Sequence, residues 1–400
     1  MDQTLLIIWN NLWHYQIESF KSNCVIYDII DIWKDFNQSD FINNGRNRFV
    51  YPGPRWFEQS IDDKKNIASL YKNILSNNKY DYIFPTWMDV DIEPWADANE
   101  LLNLKGIRPS AAQYLKSKNA YGKILKELEI ATPEIYATLL DYQYIENLKF
   151  PLICKPTLGT SGEGIKICNN YQELEKFLTD SNNQQYYPYI IQEYIIGTTV
   201  CVVGHISNSK TFVDLIYDIE TSDPPYCIET GYKFPSIFNF IEESVRSDIE
   251  KFANHIDLDN IPFMLDLIVD SEGNYYFIDF SARISYSIYQ LMYYLGNSDY
   301  FYNLANKILN GKDFCIKKEK GYIYRHFMFP AGVVESIQYR KLSDVQELKL
   351  PLPNQKIDEF KNDFDVNVTE CFAIIAGDSL KKSEQTWKDL KESIKLIYKS

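Results

Sequence analysis

Four side chains in one short stretch have the chemistry of a metal and phosphate site. Within residues 262–283, Asp266, Asp279, Ser281 and Arg283 stand among apolar neighbours, and Gly273-Asn274 reads as the turn between two strands. Alternate residues of a strand share a face. Asp279, Ser281 and Arg283 are therefore expected to project together, with Asp266 beside them on the partner strand. Carboxylates among apolar residues need a cation. Such oxygen ligands suit one hard divalent ion and a guanidinium suits phosphate oxygens, which together describe a magnesium nucleotide site. An exposed hairpin with scattered charge would use the same residue types, so this stretch alone leaves both readings open.

A second cluster, Gly159-Thr160-Ser161-Gly162-Glu163-Gly164, lies between a strand ending in Lys155 and a strand over 165–168. Its glycines let backbone approach phosphate closely, and its hydroxyls and N–H groups are donors; a structural hairpin turn also uses Gly and Ser. It is not a P-loop, because Ile165 follows the last glycine where Lys is required. Nor is it a dinucleotide fingerprint, since the third glycine and the following helix are missing. Lys155 closes the apolar run 150–154, so its ammonium should emerge from a core and seek an anion. Lys118 sits on an earlier helix, where a solvated surface role is the plain alternative. The strand through Gln192, Glu193, Tyr194 and Ile195 ends at Gly197, freeing backbone groups to meet a flat heterocycle.

These residues need a scaffold, and the chain supplies one. Its 400 residues, 45% hydrophobic and 24% charged, leave room for two or more cores. A net charge of -14 would repel a polyphosphate backbone, so nucleic acid is not an expected partner and any phosphate site must be local. The seven cysteines lack Cys-x-x-Cys spacing and read as reduced core thiols. The apolar run after Asp2 has no basic start and is too short for a signal core or a span. A cytoplasmic protein without a membrane partner is the expectation. Strands over 5–9, 24–27 and 82–85 with a helix over 62–75 make a βα pattern. Helices are expected over 95–104 and 110–128, then strands over 150–155 and 164–168 and a helix over 171–178. Further strands follow at 189–194, 199–206 and 211–219, a loop at 223–235, a helix at 288–309, a strand at 321–329 and a helix at 383–398. The central sheet should be antiparallel and continuous with the hairpin. The fold class is α/β and α+β multidomain.

In this order the elements resemble the ATP-grasp superfamily, and within it the carboxylate-amine ligase branch that includes L-amino acid ligases. The resemblance runs from about residue 80 to the C terminus. It rests on Gly106-Ile107-Arg108-Pro109-Ser110, Lys118, residues 128–133, Pro151 through Lys155 and Pro156, the Gly159 to Gly164 loop, Gln192-Glu193-Tyr194-Ile195, Asp266 and Asp279-Phe280-Ser281-Ala282-Arg283. It implies three parts: an N-terminal α/β domain over 1–110, a linker helix and lid over 111–188, and a metal- and substrate-bearing part over 189–400. ATP would lie between two sheets. Lys118 and Lys155 would meet its phosphates, Gly159, Thr160, Ser161, Gly162 and Gly164 would close over them, and Gln192, Glu193, Tyr194 and Ile195 would hold the adenine. Asp266, Asp279 and Ser281 would hold Mg2+, or Mn2+ in its place, with Arg283 at the triphosphate.

The sequence departs from the family in having Asp at both acid positions where Glu is usual, Ser281 for Asn, and Thr199 where an acid often meets ribose. Glu229-Thr230-Gly231-Tyr232-Lys233-Phe234-Pro235 occupies the interval of the family's substrate loop, so Glu229 and Lys233 would contact substrate. Arg325 is similar to an Arg that reaches the substrate carboxylate, and it would act with Arg283 and Lys155 in catalysis. By alternation His326 faces away from Arg325 and reads as a packed histidine. The reaction implied is phosphorylation of a small carboxylate, an amino acid first of all, to an acyl phosphate that an amine then attacks, in a protein that can form a homodimer. A carrier-protein thiol as acceptor, and a nucleotide-binding protein without catalysis, remain open alternatives.

Overall fold

The structure, a computed structural model, describes residues 4–9, 26–31, 49–50, 81–84, 92–139, 148–157, 164–180, 188–222, 229–357 and 371–399. The first strands, β1 (Thr4–Trp9), β2 (Ile26–Asp31), β3 (Phe49–Val50) and β4 (Tyr82–Phe84), form a parallel sheet in the order β3-β2-β1-β4. Strands β1, β2 and β4 fall where strands were expected over 5–9, 24–27 and 82–85, with residues 24, 25 and 85 outside the described residues. The helix expected over 62–75 lies outside the described residues.

Helix α1 (Ile92–Leu101) precedes α2 (Pro109–Lys116) and α3 (Lys118–Glu127). The single helix expected over 110–128 is thus broken at Ser117. Ser117 is extended (φ -113, ψ 113), and its Oγ accepts from the Ala120 N–H at 3.4 Å, which is how serine caps a helix start. Lys118 becomes the first residue of α3, and its N–H donates to the Thr157 carbonyl at 3.4 Å.

A small antiparallel sheet follows: β5 (Ile135–Leu139), β6 (Leu152–Pro156), β7 (Lys166–Cys168) and β8 (Tyr189–Glu193), in the order β5-β8-β6-β7. Helix α4 (Tyr171–Thr179), capped by Asn170, lays Leu174 and Leu178 on a core of Leu152, Cys154, Cys168, Tyr189 and Ile191. Residues 189–193 therefore complete this small sheet.

The large sheet is antiparallel throughout. It contains β9 (Thr198–Ser207), β10 (Lys210–Thr221), β11 (Glu229–Phe234), β12 (Ile261–Val269), β13 (Tyr275–Ser281) and β14 (Gly321–His326). After β15 (Gly332–Gln338) the chain adds β16 (Val345–Lys349), then β17 (Lys356–Ile357), β18 (Phe372–Gly377) and β19 (Lys395–Tyr398). The order of the large sheet is β13-β12-β9-β10-β11-β14-β18-β16. Strand β11 falls in the stretch read as a loop. Its polar, glycine-interrupted sequence hides the strand, but Gly231 is needed because the Tyr324 carbonyl comes too close for a Cβ.

One face of this sheet packs Val200, Val202, Leu265 and Leu267 against α5 (Glu242–His255) and against Trp95, Tyr121 and Leu125 of α1 and α3. The other packs Val203, Leu215 and Tyr217 under α6 (Tyr286–Tyr294) and α7 (Tyr300–Asn310). These two helices replace the single one expected over 288–309, with Gly296 in the left-handed region (φ 89) between them. The last helix, α8 (Leu380–Ser393), is shorter than expected because residues 395–398 pair as β19. Among the described residues no helix is long and apolar enough to cross a membrane.

Gly321 opens β14 where a Cβ would overlap the Ser379 and Leu380 backbone, and its carbonyl accepts from Ser383 Oγ at 2.9 Å. Gly321→Ala should destabilise the fold by about 1–3 kcal/mol through overpacking. The check is a lower urea midpoint at unchanged slope.

Candidate active site

Antiparallel register brings the two acids together, and a bulge aims them. Leu267 pairs with Phe277 and Asp266 with Asp279, so Ile278 is an extra residue in β13. Phe277 and Phe280 both enter the core that holds Leu265 and Leu267. Asp279, between Ile278 and Phe280, is left on the opposite face, directly across from Asp266, and Ser281 comes next, across from Met264. Arg283 lies two residues past the end of β13, partly buried.

Two lysines reach the same place from the other layers. Lys118 Nζ, at the start of α3, lies 3.5 Å from Asp279 Oδ2. Lys155, near the end of β6, is 6% exposed. Desolvation, and then the charge of Lys118, lower its ammonium from 10.5 to about 8, with Asp279 acting in the opposite direction. Two cations thus share one neighbouring carboxylate in a poorly hydrated cleft, an arrangement that an anion would relieve.

The small sheet sets the remaining edge. Buried Gln192 donates from Nε2 to the Pro133 carbonyl at 3.1 Å, and the Glu193 N–H donates to Glu134 O at 2.9 Å. Glu193 Oε2 accepts from the Glu134 N–H at 3.2 Å. After Glu193 the backbone leaves the ladder through Tyr194 and Ile195. Gly164 is in the left-handed region (φ 70) just before β7, while Gly159, Thr160, Ser161 and Gly162 lie outside the described residues.

A second bulge delivers Glu229. Glu220 pairs with Gly231 and Thr221 with Glu229, leaving Thr230 as the extra residue. Desolvation, and then the charge of Asp266, push the Glu229 carboxyl from 4.5 up to about 8, although the residue, the first of β11, is exposed. Sequence reasoning passed over Cys201, which pairs directly with Asp266. Burial pushes its thiol well up, and it hydrogen-bonds with both Asp266 and Tyr217. The signal that would have found it is strand pairing, which the sequence does not print.

The acids suit a magnesium nucleotide better than a metal held by protein alone. Among the described residues no group of three or more His, Cys, Asp or Glu could hold an ion. Asp266 and Asp279 form a facing pair with a hydroxyl beside them, and Mg2+ is usually held by one or two carboxylates plus phosphate oxygens and water.

Arg325 and Lys233 go elsewhere. On β14, Ile323 and Arg325 face α8, whereas Tyr324 and His326 share the face of the acids. Arg325 Nη1 donates to Glu384 Oε2 at 2.7 Å and Nη2 to Glu220 Oε1 at 2.7 Å, and its guanidinium lies 5.4 Å over Trp387. Lys233 Nζ is 3.3 Å from the same Glu220. The guanidinium expected at the substrate carboxylate is therefore engaged by two glutamates of its own chain.

Comparison with known proteins agrees with this geometry. Residues 148–288 match the ATP-grasp domain family. The carbamoyl phosphate synthase large chain of Clostridium beijerinckii is 21% identical over 244 residues, covering 58% of this chain and 22% of that protein. The match thus spans about a fifth of the length of this curated relative. The L-amino acid ligase structure from Bacillus licheniformis superposes with a TM-score of 0.80 at 17% identity, over 100% of this chain and 99% of that one. N5-carboxyaminoimidazole synthetase from Staphylococcus aureus, complexed with ADP, superposes with a TM-score of 0.61 at 16% identity over 82% of each chain. The chain has the ATP-grasp fold.

The raised Glu229 carboxyl has a consequence for stability. Between 4.5 and about 8 the folded state keeps a proton that the unfolded state has lost, so this contribution is full at low pH and disappears as pH rises through 8. The lowered Lys155 acts above that window, where stability rises with pH between about 8 and 10.5. Glu229→Gln should therefore melt with a flatter pH dependence from 5 to 8 than the parent protein. Parallel melting profiles for the two proteins over that range would show that Glu229 has an ordinary carboxyl.

Proposed function

We propose that this ATP-grasp chain is an ATP-dependent ligase that activates a small carboxylate, an α-amino acid, by phosphorylating it and then joins it to an amine. The observation that carries this reading is the convergence of Lys118, Lys155, Asp279 and Asp266 where the lid and the large sheet meet. Lys118, Lys155 and Arg283 offset triphosphate charge, and Gln192, Glu193, Tyr194 and Ile195 border the base. Asp266, Asp279 and Ser281 are the residues that would hold magnesium. Bound there, the ion would supply Lewis-acid stabilisation of the charge that develops on the transferring phosphoryl group.

A carboxylate is a poor electrophile, and phosphorylation gives it a good leaving group. Glu229, with a carboxyl near 8, is suited to take the proton that an ammonium must lose before its nitrogen attacks. The glycine loop of residues 159–164 serves in this reading as the lid that keeps water from the activated carboxylate. Lys233 and Arg325 act from the far face as supports for β11. Residues 1–110, 111–188 and 189–400 divide these tasks, with 189–193 lending a strand to the lid.

The test is ADP formation from magnesium ATP over a panel of amino acids paired with amines, with the amide product weighed by mass spectrometry. Asp279→Asn keeps size and hydrogen bonding but removes one charge. It should lower turnover by about 100-fold, the order seen when one preorganised electrostatic partner is lost. Calorimetry should show ATP binding to the parent protein tightening with magnesium and the variant losing most of that gain. ATP binding that is indifferent to the ion, with no ADP formed over the whole panel, would replace this reading with a nucleotide-binding protein that does not catalyse.

A further inference from the structure

A single row of side chains crosses the large sheet through the two acids. Register sets Asp279 of β13 opposite Asp266 of β12, Asp266 opposite Cys201 of β9, and Cys201 opposite Tyr217 of β10. Directly opposed residues share a face. The row therefore starts at two partly buried carboxylates and ends at a thiol and a phenol that are fully buried.

Its hydrogen bonds have one possible direction. Cys201 bonds to both of its neighbours in the row, Asp266 and Tyr217. An ionised carboxylate only accepts, so the single thiol proton is committed to Asp266. The bond to Tyr217 must then use the proton of the phenol, with Sγ accepting. A chain of donors thus runs from the core to Asp266, from O–H to S–H to carboxylate. A buried cysteine ordinarily packs as a small hydrophobe. Val200, Val202 and Val203 pack in that way on the same strand, and among the side chains of residues 200–203 Cys201 alone has a proton to give.

Asp266 needs such a donor. Its carboxylate turns about two torsions and faces a second carboxylate, which repels it. Lys118, 3.5 Å from Asp279, offsets the charge of that other acid. A hydrogen bond from within the sheet fixes one side of the Asp266 carboxylate and leaves its remaining lone pairs for an ion. Carboxylates that hold metals are themselves hydrogen-bonded, and the partner sets their orientation. We infer that Cys201 is a positioning residue whose S–H, braced by the Tyr217 hydroxyl, holds Asp266 in the orientation that receives magnesium. The inference deepens the proposed function and rests on it for the role of Asp266.

Calorimetric binding of a nonhydrolysable ATP analogue, titrated with magnesium and repeated in chelator, tests this without turnover. Cys201→Val fills the volume without a donor, and Cys201→Ser keeps a donor in a smaller side chain. Cys201→Val should raise the half-saturating magnesium concentration about tenfold, the low end of what loss of a metal ligand's partner costs. Cys201→Ser should stay within about threefold of the parent, and Tyr217→Phe, which removes only the brace, should lose about threefold, the scale of one neutral hydrogen bond. In chelator all four proteins should bind the analogue alike.

A parent-like magnesium response in Cys201→Val overturns the inference and leaves Asp266 as a magnesium acid. A Cys201→Ser variant weaker than Cys201→Val does the same, because the loss then follows volume and not the donor. A parent protein that binds the analogue equally well with magnesium and in chelator removes the magnesium role of Asp266, and the inference with it. Thermal melting identifies a variant that fails to fold, and the infrared S–H stretch of the parent protein then decides. Magnesium added to the analogue-bound protein should draw on the Asp266 carboxylate, weaken its hold on the thiol proton and raise one S–H frequency. An S–H spectrum that does not respond to the ion overturns the positioning role.

Discussion

The site depends on a single register shift. If β13 paired with β12 without the extra residue Ile278, the alternation that buries Phe277 would also turn Asp279 into the core, and Phe280 would face the cleft. The bulge lets both phenylalanines remain in the apolar layer with Leu265 and Leu267 while Asp279 comes to stand opposite Asp266. An uncompensated carboxylate in that apolar layer would cost several kcal/mol. Core packing and site geometry are thus settled by the same constraint, and each side of the strand holds the other in place.

Charge balance around this pair explains the layout of the other layers. Facing carboxylates repel, and part of the compensation comes from Lys118, which reaches Asp279 because Ser117 starts a new helix at that point. Lys155 comes from the small sheet, buried enough that its charge is costly. With Glu229 also pushed toward its neutral form by desolvation and then by the charge of Asp266, the site holds opposite charges in an arrangement that is poorly satisfied by protein alone. A cation and a polyphosphate together would complete it, which is the physical content of the likeness to ATP-grasp proteins.

The large sheet separates chemistry from support. Its back carries the Glu220, Arg325 and Glu384 cluster, which ties α8 to β10 and β14 and anchors the strand beside the Thr230 bulge. Its front carries the acids, Glu229 and the aromatic rings. Neighbouring residues in sequence, such as Tyr324 and Arg325 or Tyr232 and Lys233, therefore lie on opposite faces of the sheet, the tyrosines in the core beneath α6 and α7 and the cations in the charged cluster with Glu220.

The sequence by itself determined many of the elements and the order in which they follow one another. Apolar runs of strand length and the turn at Gly273-Asn274 were enough to expect the hairpin that pairs Asp266 with Asp279, since that depends on local periodicity and turn chemistry, while the ATP-grasp architecture was expected from the resemblance of the ordered motifs to that family. The break at Ser117, the strand through Gly231 and the division of residues 288–309 into two helices were not legible, because a cap, a close backbone approach and a left-handed glycine acquire meaning only against a neighbour. Which face a side chain takes was decided by the tertiary structure. Arg325 reads equally well as a substrate ligand or a strut until pairing with β11 and β18 turns it toward Glu220 and Glu384. Period-two alternation fixes that neighbours oppose one another, but only the register, shifted by one residue at each bulge, fixes which of them meets the cleft.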